Sequence, residues 1–132
     1  MTSESTESRK RILYVDDMSI SLKAFKKALE AHYEIFLADS ISKMYKIMDR
    51  IRPDLIILDV NMPGTGGYDI IIQLKDDTRY SDIPVMFMTG NSDKESVSKG
   101  LSLGAVAYAV KPFNALKLVE TINSQLYPRV IS

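Results

Sequence analysis

The 132-residue chain has no cysteine and no tryptophan, and its one histidine is His32. Without thiols it builds neither a disulfide nor a thiolate zinc cage. Charge of one sign is not in excess either. The 17 basic residues are matched by 17 acidic ones, which leaves no surplus of Lys and Arg for the phosphate contacts behind nucleic-acid affinity. Direct nucleic-acid binding is therefore not expected. Long apolar runs are missing as well: residues 55–58 and 70–72 fall far short of the ~20 that cross a bilayer. The opening MTSESTESRKR lacks the apolar stretch of a secretion signal, so the cytoplasm is the expected compartment, with no membrane partner. What is present is 45% apolar content, enough at this length for one domain that buries roughly two-thirds of its unfolded surface.

The chain alternates between two kinds of segment. Four-residue apolar runs at 12–15, 35–38, 55–58, 85–88 and 107–110 are each closed by a polar or turn residue. A run that is apolar at every position, not at every second one, describes a strand covered on both faces, as in a parallel sheet. Between the runs lie stripes at helical spacing: Leu22, Phe25 and Leu29; Ile41, Met44, Tyr45, Met48 and Ile51; Tyr68, Ile71 and Leu74; Ala115, Val119, Ile122 and Leu126. Residues 92–103 offer only Val97, Leu101 and Leu103 among polar neighbours, so the fourth helix should be the least firmly packed. Ser40 is the expected cap of the second helix and Gly104 the stop of the fourth. Five strands alternating with five helices, joined by right-handed crossovers, make a doubly wound α/β domain. Residues 1–10 read as a disordered tail, 11–127 as the domain and 128–132 as a short extension.

Ligands of such sheets bind outside the carboxyl ends of the strands. Here the first strand runs into Asp16 and Asp17, the third into Asp59, the fourth into Thr89 and the fifth into Lys111. Each pair of carboxylates brought to ~4 Å repels by roughly 4 kcal/mol at an effective dielectric near 20. One lysine does not neutralise three acids. A divalent ion does, and all-oxygen ligands favour a hard one such as magnesium, with manganese as the alternative. Metal, ammonium and hydroxyl together form a phosphoryl-transfer constellation, in which Asp59, flanked by the other acids on one side and by Thr89 and Lys111 on the other, is best placed as acceptor.

These residues carry a resemblance. Asp16-Asp17, LDVNMPG at 58–64, Met88-Thr89-Gly90 and GAVAYAVKPF at 104–113 resemble, in order and spacing, the receiver domain of two-component response regulators. The resemblance implies a flavodoxin-like (βα)5 fold with a five-stranded parallel sheet in the order 2-1-3-4-5. It further implies that Asp59 accepts a phosphoryl group from a sensor histidine kinase or histidine phosphotransfer protein. Asp17 and Asp59 are similar to direct magnesium ligands, Asp16 to one acting through water, and Asn61 to a residue lending its carbonyl. Lys111 resembles the lysine that pairs with phosphoryl oxygens, across a cis bond to Pro112. Thr89 and Tyr108 resemble a switch pair that reshapes the surface of the fourth helix, fifth strand and fifth helix. Output would pass to a separate domain or protein, and homodimerisation stays open. The turn Gly64-Thr65-Gly66-Gly67 lacks the acidic residue common in the family, and neutral Asn61 and Asn91 occupy positions that modulate phosphoryl lifetime there.

Taken singly, Asp16-Asp17 would more often be a helix cap, Thr89-Gly90 a turn and Tyr108 an edge aromatic. Their joint arrival at four strand ends favours the phosphoryl site. An aspartyl-phosphate phosphatase needs an acid two residues past Asp59, where Asn61 stands. A flavin carrier needs a phosphate-cradling loop after the first strand, where Asp16 and Asp17 would repel the phosphate. A partner-binding pseudo-receiver is the remaining alternative. The expected role is that of a signalling switch, not of an enzyme.

Overall fold

A computed structural model describes residues 9–62, 66–90 and 94–127. The expected tail up to Ser8, the extension 128–132, the start of the 64–67 turn and Asn91 lie outside the described residues. The strands are β1 (Arg11–Val15), β2 (Glu34–Ala38), β3 (Leu55–Asp59), β4 (Val85–Thr89) and β5 (Ala107–Val110). The helices are α1 (Ser19–Leu29), α2 (Ile41–Met48), α3 (Gly67–Lys75), α4 (Lys94–Ser102) and α5 (Ala115–Leu126). All strand pairs are parallel, in the order β2-β1-β3-β4-β5.

Two cores flank the sheet, as the uninterrupted apolar runs require. On one face, Leu13, Val15, Ile56, Leu58 and Phe87 meet α2 and α3. On the other, Ile12, Tyr14, Ile57 and Met88 meet α1 through Leu22, Phe25 and Leu29, and α5 through Leu118 and Ile122. The central strands β3 and β4 are buried along their whole length, whereas the edge strands β2 and β5 are partly exposed because each has a neighbour on one side only.

Helix phase departs from the sequence reading in two places. In α3 Ile70 is buried beside Ile71 and Leu74 while Tyr68 is half-buried, and in α5 Leu118 takes the place expected for exposed Ala115. Ile51 lies past the end of α2, half-buried in the following loop. Burial favours Ile70 over Tyr68 and Leu118 over Ala115, although Ile72 and Leu116 in the same helices stay exposed. Ser40 caps α2 by accepting from the Lys43 N–H at 3.1 Å. Gly104, at φ 115°, follows α4 in the left-handed conformation that spares it a Cβ clash. Among the α4 residues only Gly100 is fully buried, and a Cβ there would lie 2.0 Å from the Phe87 ring, so the missing side chain is what lets helix and strand meet.

Arg9 and Lys10, assigned to the tail from sequence, make contacts with the domain. The Arg9 guanidinium donates to the Glu30 and Ala31 carbonyls at 2.6 and 2.9 Å, at the C-terminal end of α1, where a cation suits the helix dipole. Among the described residues no helix is long and apolar enough to cross a membrane.

Candidate functional site

Parallel topology sends β1, β3, β4 and β5 out of the sheet at the same edge, and the residues at or just beyond those ends form one polar cluster. Oxygens of Asp16, Asp17 and Asp59 all lie within 4.8 Å of one another. Asp16 and Asp59 are buried and Asp17 is exposed. Lys111, placed by donation of its own N–H to the Thr89 carbonyl at 2.8 Å, reaches Asp16 Oδ2 at 2.6 Å and Asp59 Oδ2 at 3.0 Å. Its peptide bond to Pro112 is cis.

The other oxygens are also held. Asp16 Oδ1 accepts from the Met18 N–H at 2.9 Å, tying the carboxylate to the approach of α1, and Asp16 Oδ2 also accepts from the Tyr14 hydroxyl. Asp59 Oδ1 accepts from the Asn61 N–H at 2.9 Å, so Asn61 turns its amide nitrogen toward the acid while its side chain is exposed. These partners divide the two buried acids. Burial pushes Asp16 up, but donation from Lys111, Tyr14 and Met18 outweighs it and holds the carboxyl below its ordinary value. In Asp59 burial prevails over donation from Asn61 and Lys111, and with the nearby Asp16 charge it raises the carboxyl above its ordinary value. Burial disfavours the Lys111 charge, yet its two acid partners leave the ammonium more firmly protonated than a free lysine.

Thr89 ends β4 and is buried, one residue past the level at which Asp59 pairs with Met88. Tyr108 lies farther back along β5, paired with Phe87; it is 39% exposed, with its ring stacked on Phe87 at 6.3 Å. Asp16, Asp17, Asp59, Asn61 and Lys111 thus come together as one cluster, with Thr89 at its edge and Tyr108 outside it. The sequence reading missed Tyr14, because a tyrosine inside an apolar run reads as core; its position two residues before Asp16, on the same side of the strand, was the available signal.

The donor set suits a hard divalent cation: three carboxylates converge, all-oxygen, with one lysine between two of them and the third carboxylate turned to solvent. A strand-end cluster of this composition on a doubly wound sheet defines a class of protein, and the comparisons agree with it. Residues 12–123 match the family model described as response regulator receiver domain. The chain belongs to that family.

The polar-differentiation response regulator DivK of Brucella anthropi is 31% identical over 121 residues, covering 89% of this chain and 96% of DivK. The phosphate regulon transcriptional regulatory protein PhoB of Pseudomonas aeruginosa is 35% identical over 89% of this chain but only 52% of PhoB. A probable cyclic di-GMP phosphodiesterase of Vibrio cholerae is 35% identical over 87% of this chain and 26% of the relative. The chain therefore spans about a quarter to a half of some curated relatives and nearly all of others. Among solved structures, the chemotaxis protein CheY4 of Vibrio cholerae superposes with a TM-score of 0.83 at 28% identity, covering 90% of this chain and all of CheY4.

Proposed function

We propose that this receiver domain is a phosphorylation-dependent switch in which Asp59 accepts a phosphoryl group from a phosphohistidine on a sensor kinase or phosphotransfer protein. The observation that carries the reading is the bridge of Lys111 between Asp16 and Asp59 within a three-acid cluster. An oxygen of the Asp59 carboxylate attacks phosphorus, the nitrogen–phosphorus bond breaks with its electron pair leaving on the imidazole, and an acyl phosphate forms. A magnesium ion held by Asp16, Asp17, Asp59 and the Asn61 carbonyl would supply neutralisation of the incoming phosphoryl charge. Lys111 is already within reach of the acceptor and provides a second positive contact for the phosphoryl oxygens.

The new group brings nearly two negative charges and fresh acceptors to the end of β3. Thr89 offers a hydroxyl on the adjacent strand, and its movement toward the phosphoryl oxygens would open space for the Tyr108 ring, which now lies outward on Phe87. The face made by α4, β5 and α5 then changes shape and serves as the output surface, acting in the cytoplasm on a separate domain or protein.

Incubation with a small acyl-phosphate donor and magnesium, read by intact mass, tests this. Wild type should gain the mass of one phosphoryl group and Asp59→Ala none; a wild type that stays unmodified, or an Asp59→Ala that is modified, removes the assignment.

A further inference from the structure

Strand alternation puts Tyr14 and Asp16 on the same side of β1, and the length of a tyrosine spans the interval between them. The Tyr14 ring is fully buried against Phe25, with centroids 4.4 Å apart, and its hydroxyl donates to Asp16 Oδ2. Lys111 touches the same oxygen at 2.6 Å. The two partners differ in kind. Lys111 divides itself between Asp16 and Asp59, whereas the Tyr14 hydroxyl is aimed at Asp16 alone by a ring locked in the core.

We propose that Tyr14 is a positioning residue for divalent-cation binding: its hydroxyl fixes the orientation of the Asp16 carboxylate toward the site shared with Asp17 and Asp59. A phenylalanine would fill the same core space, so packing against Phe25 does not account for the hydroxyl. A buried phenol needs a partner, and here that partner is an acid of the cluster and not a main-chain carbonyl. Hydrogen-bond donors behind metal-binding side chains hold them in the liganding geometry, and their loss weakens metal affinity. The inference rests on the function proposed above.

Calorimetric titration of the unphosphorylated chain with magnesium chloride tests it on Tyr14→Phe, which keeps the ring and deletes the hydroxyl. The Kd should rise about tenfold, at the low end of the losses seen when such donors are removed. Phe25→Leu supplies the comparison, because it loosens the same ring packing but leaves the hydroxyl in place; it should lower the thermal midpoint and leave the Kd near that of wild type. A Tyr14→Phe protein that binds magnesium as tightly as wild type, or loses no more affinity than Phe25→Leu, overturns the proposal. Should Tyr14→Phe also lose stability, that paired comparison still decides. Failure of wild type itself to bind magnesium would instead strike the cation site and with it the function proposed above.

Discussion

Asp59→Asn should stabilise the fold in metal-free buffer and lose that advantage when magnesium is added. At the 4.8 Å limit of the cluster, two carboxylates repel by about 3 kcal/mol at an effective dielectric near 20. The attraction of Asp59 to Lys111 at 3.0 Å is about 5 kcal/mol on the same basis. Those opposing terms leave burial to decide the sign, since removing a carboxylate from water costs several kcal/mol. Burial is the largest influence on Asp59 and holds its carboxyl above the ordinary 3.8, so the charged form is a net burden on the folded chain. Asparagine keeps the shape, and its one carbonyl oxygen still accepts from the Asn61 N–H, while the contact to Lys111 is given up and the ammonium stays on Asp16. We expect it to gain about 1 kcal/mol, a rise in thermal midpoint of about 4 °C for a domain this size.

At about ten times its Kd, magnesium adds about 1.4 kcal/mol to wild type through linkage and little to the variant, so the order of the two midpoints closes or reverses. Acidification separates the causes further. A group whose carboxyl titrates high in the folded state lends stability below its unfolded value and loses it as pH rises through the folded value. The advantage of Asp59→Asn should therefore be greatest near neutral pH and vanish below about pH 4, where the wild-type carboxyl is protonated in both states. Thermal melts at several pH values, with chelator and with magnesium, read both effects. A variant less stable than wild type in chelator, or an advantage indifferent to pH, would refute the reasoning.

Lys111→Met leaves Asp16 and Asp59 without their shared cation and should cost about 3 kcal/mol in chelator by urea denaturation. Magnesium then meets no competing ammonium, so its stabilising increment should exceed that of wild type; an unchanged increment would count against the shared role of the lysine. Gly100→Ala should lose about 1–2 kcal/mol from the clash with Phe87 despite the better helix propensity of alanine, and in a Phe87→Leu background the same change should become neutral or stabilising. Additive effects in that double-mutant cycle would contradict the close fit. Ser40→Ala removes the side-chain acceptor for the Lys43 N–H and should cost about 1 kcal/mol, whereas Ser40→Asp should not.

The parts of the molecule legible in sequence are those written in local pattern. Residues 55–58 and 85–88 are apolar at every position because β3 and β4 are covered on both sides, and Asp59 and Thr89 mark where that cover ends. The acids were readable as a cluster because a parallel sheet delivers its strand ends to one edge. What escaped depends on partners distant in the chain or on the rotation of a helix. Arg9 finds the Glu30 carbonyl 21 residues later, and nothing in either segment advertises the pairing. Leu118 is buried and Ala115 exposed, although Val119, Ile122 and Leu126 of the expected stripe all face the same core. Tyr14 serves the core with its ring and the site with its hydroxyl, a division that an apolar pattern does not separate.

Comparison of magnitudes shows why the proposed switch would act on one helix and spare the rest. α1 buries Leu22, Phe25 and Leu29, each worth about 1.5–3 kcal/mol, so displacing it would cost most of the stability of a domain this size. α4 buries no large side chain fully; its described contacts include the fit of Gly100 over Phe87, the Tyr68 hydroxyl donating to the Ser96 carbonyl at 2.9 Å and the Lys99 ammonium over the Tyr68 ring. Rearranging a charge pair in the acid cluster is worth about 3 kcal/mol, below what anchors α1. Phe87 joins the two regions: it stands two residues before Thr89 on the same side of β4, carries the Tyr108 ring on one flank and the Tyr68 ring on another, and fills the gap left by Gly100. A disturbance at Thr89 therefore meets α4 first, through a single ring, while the core on the α1 side lies across the sheet from it.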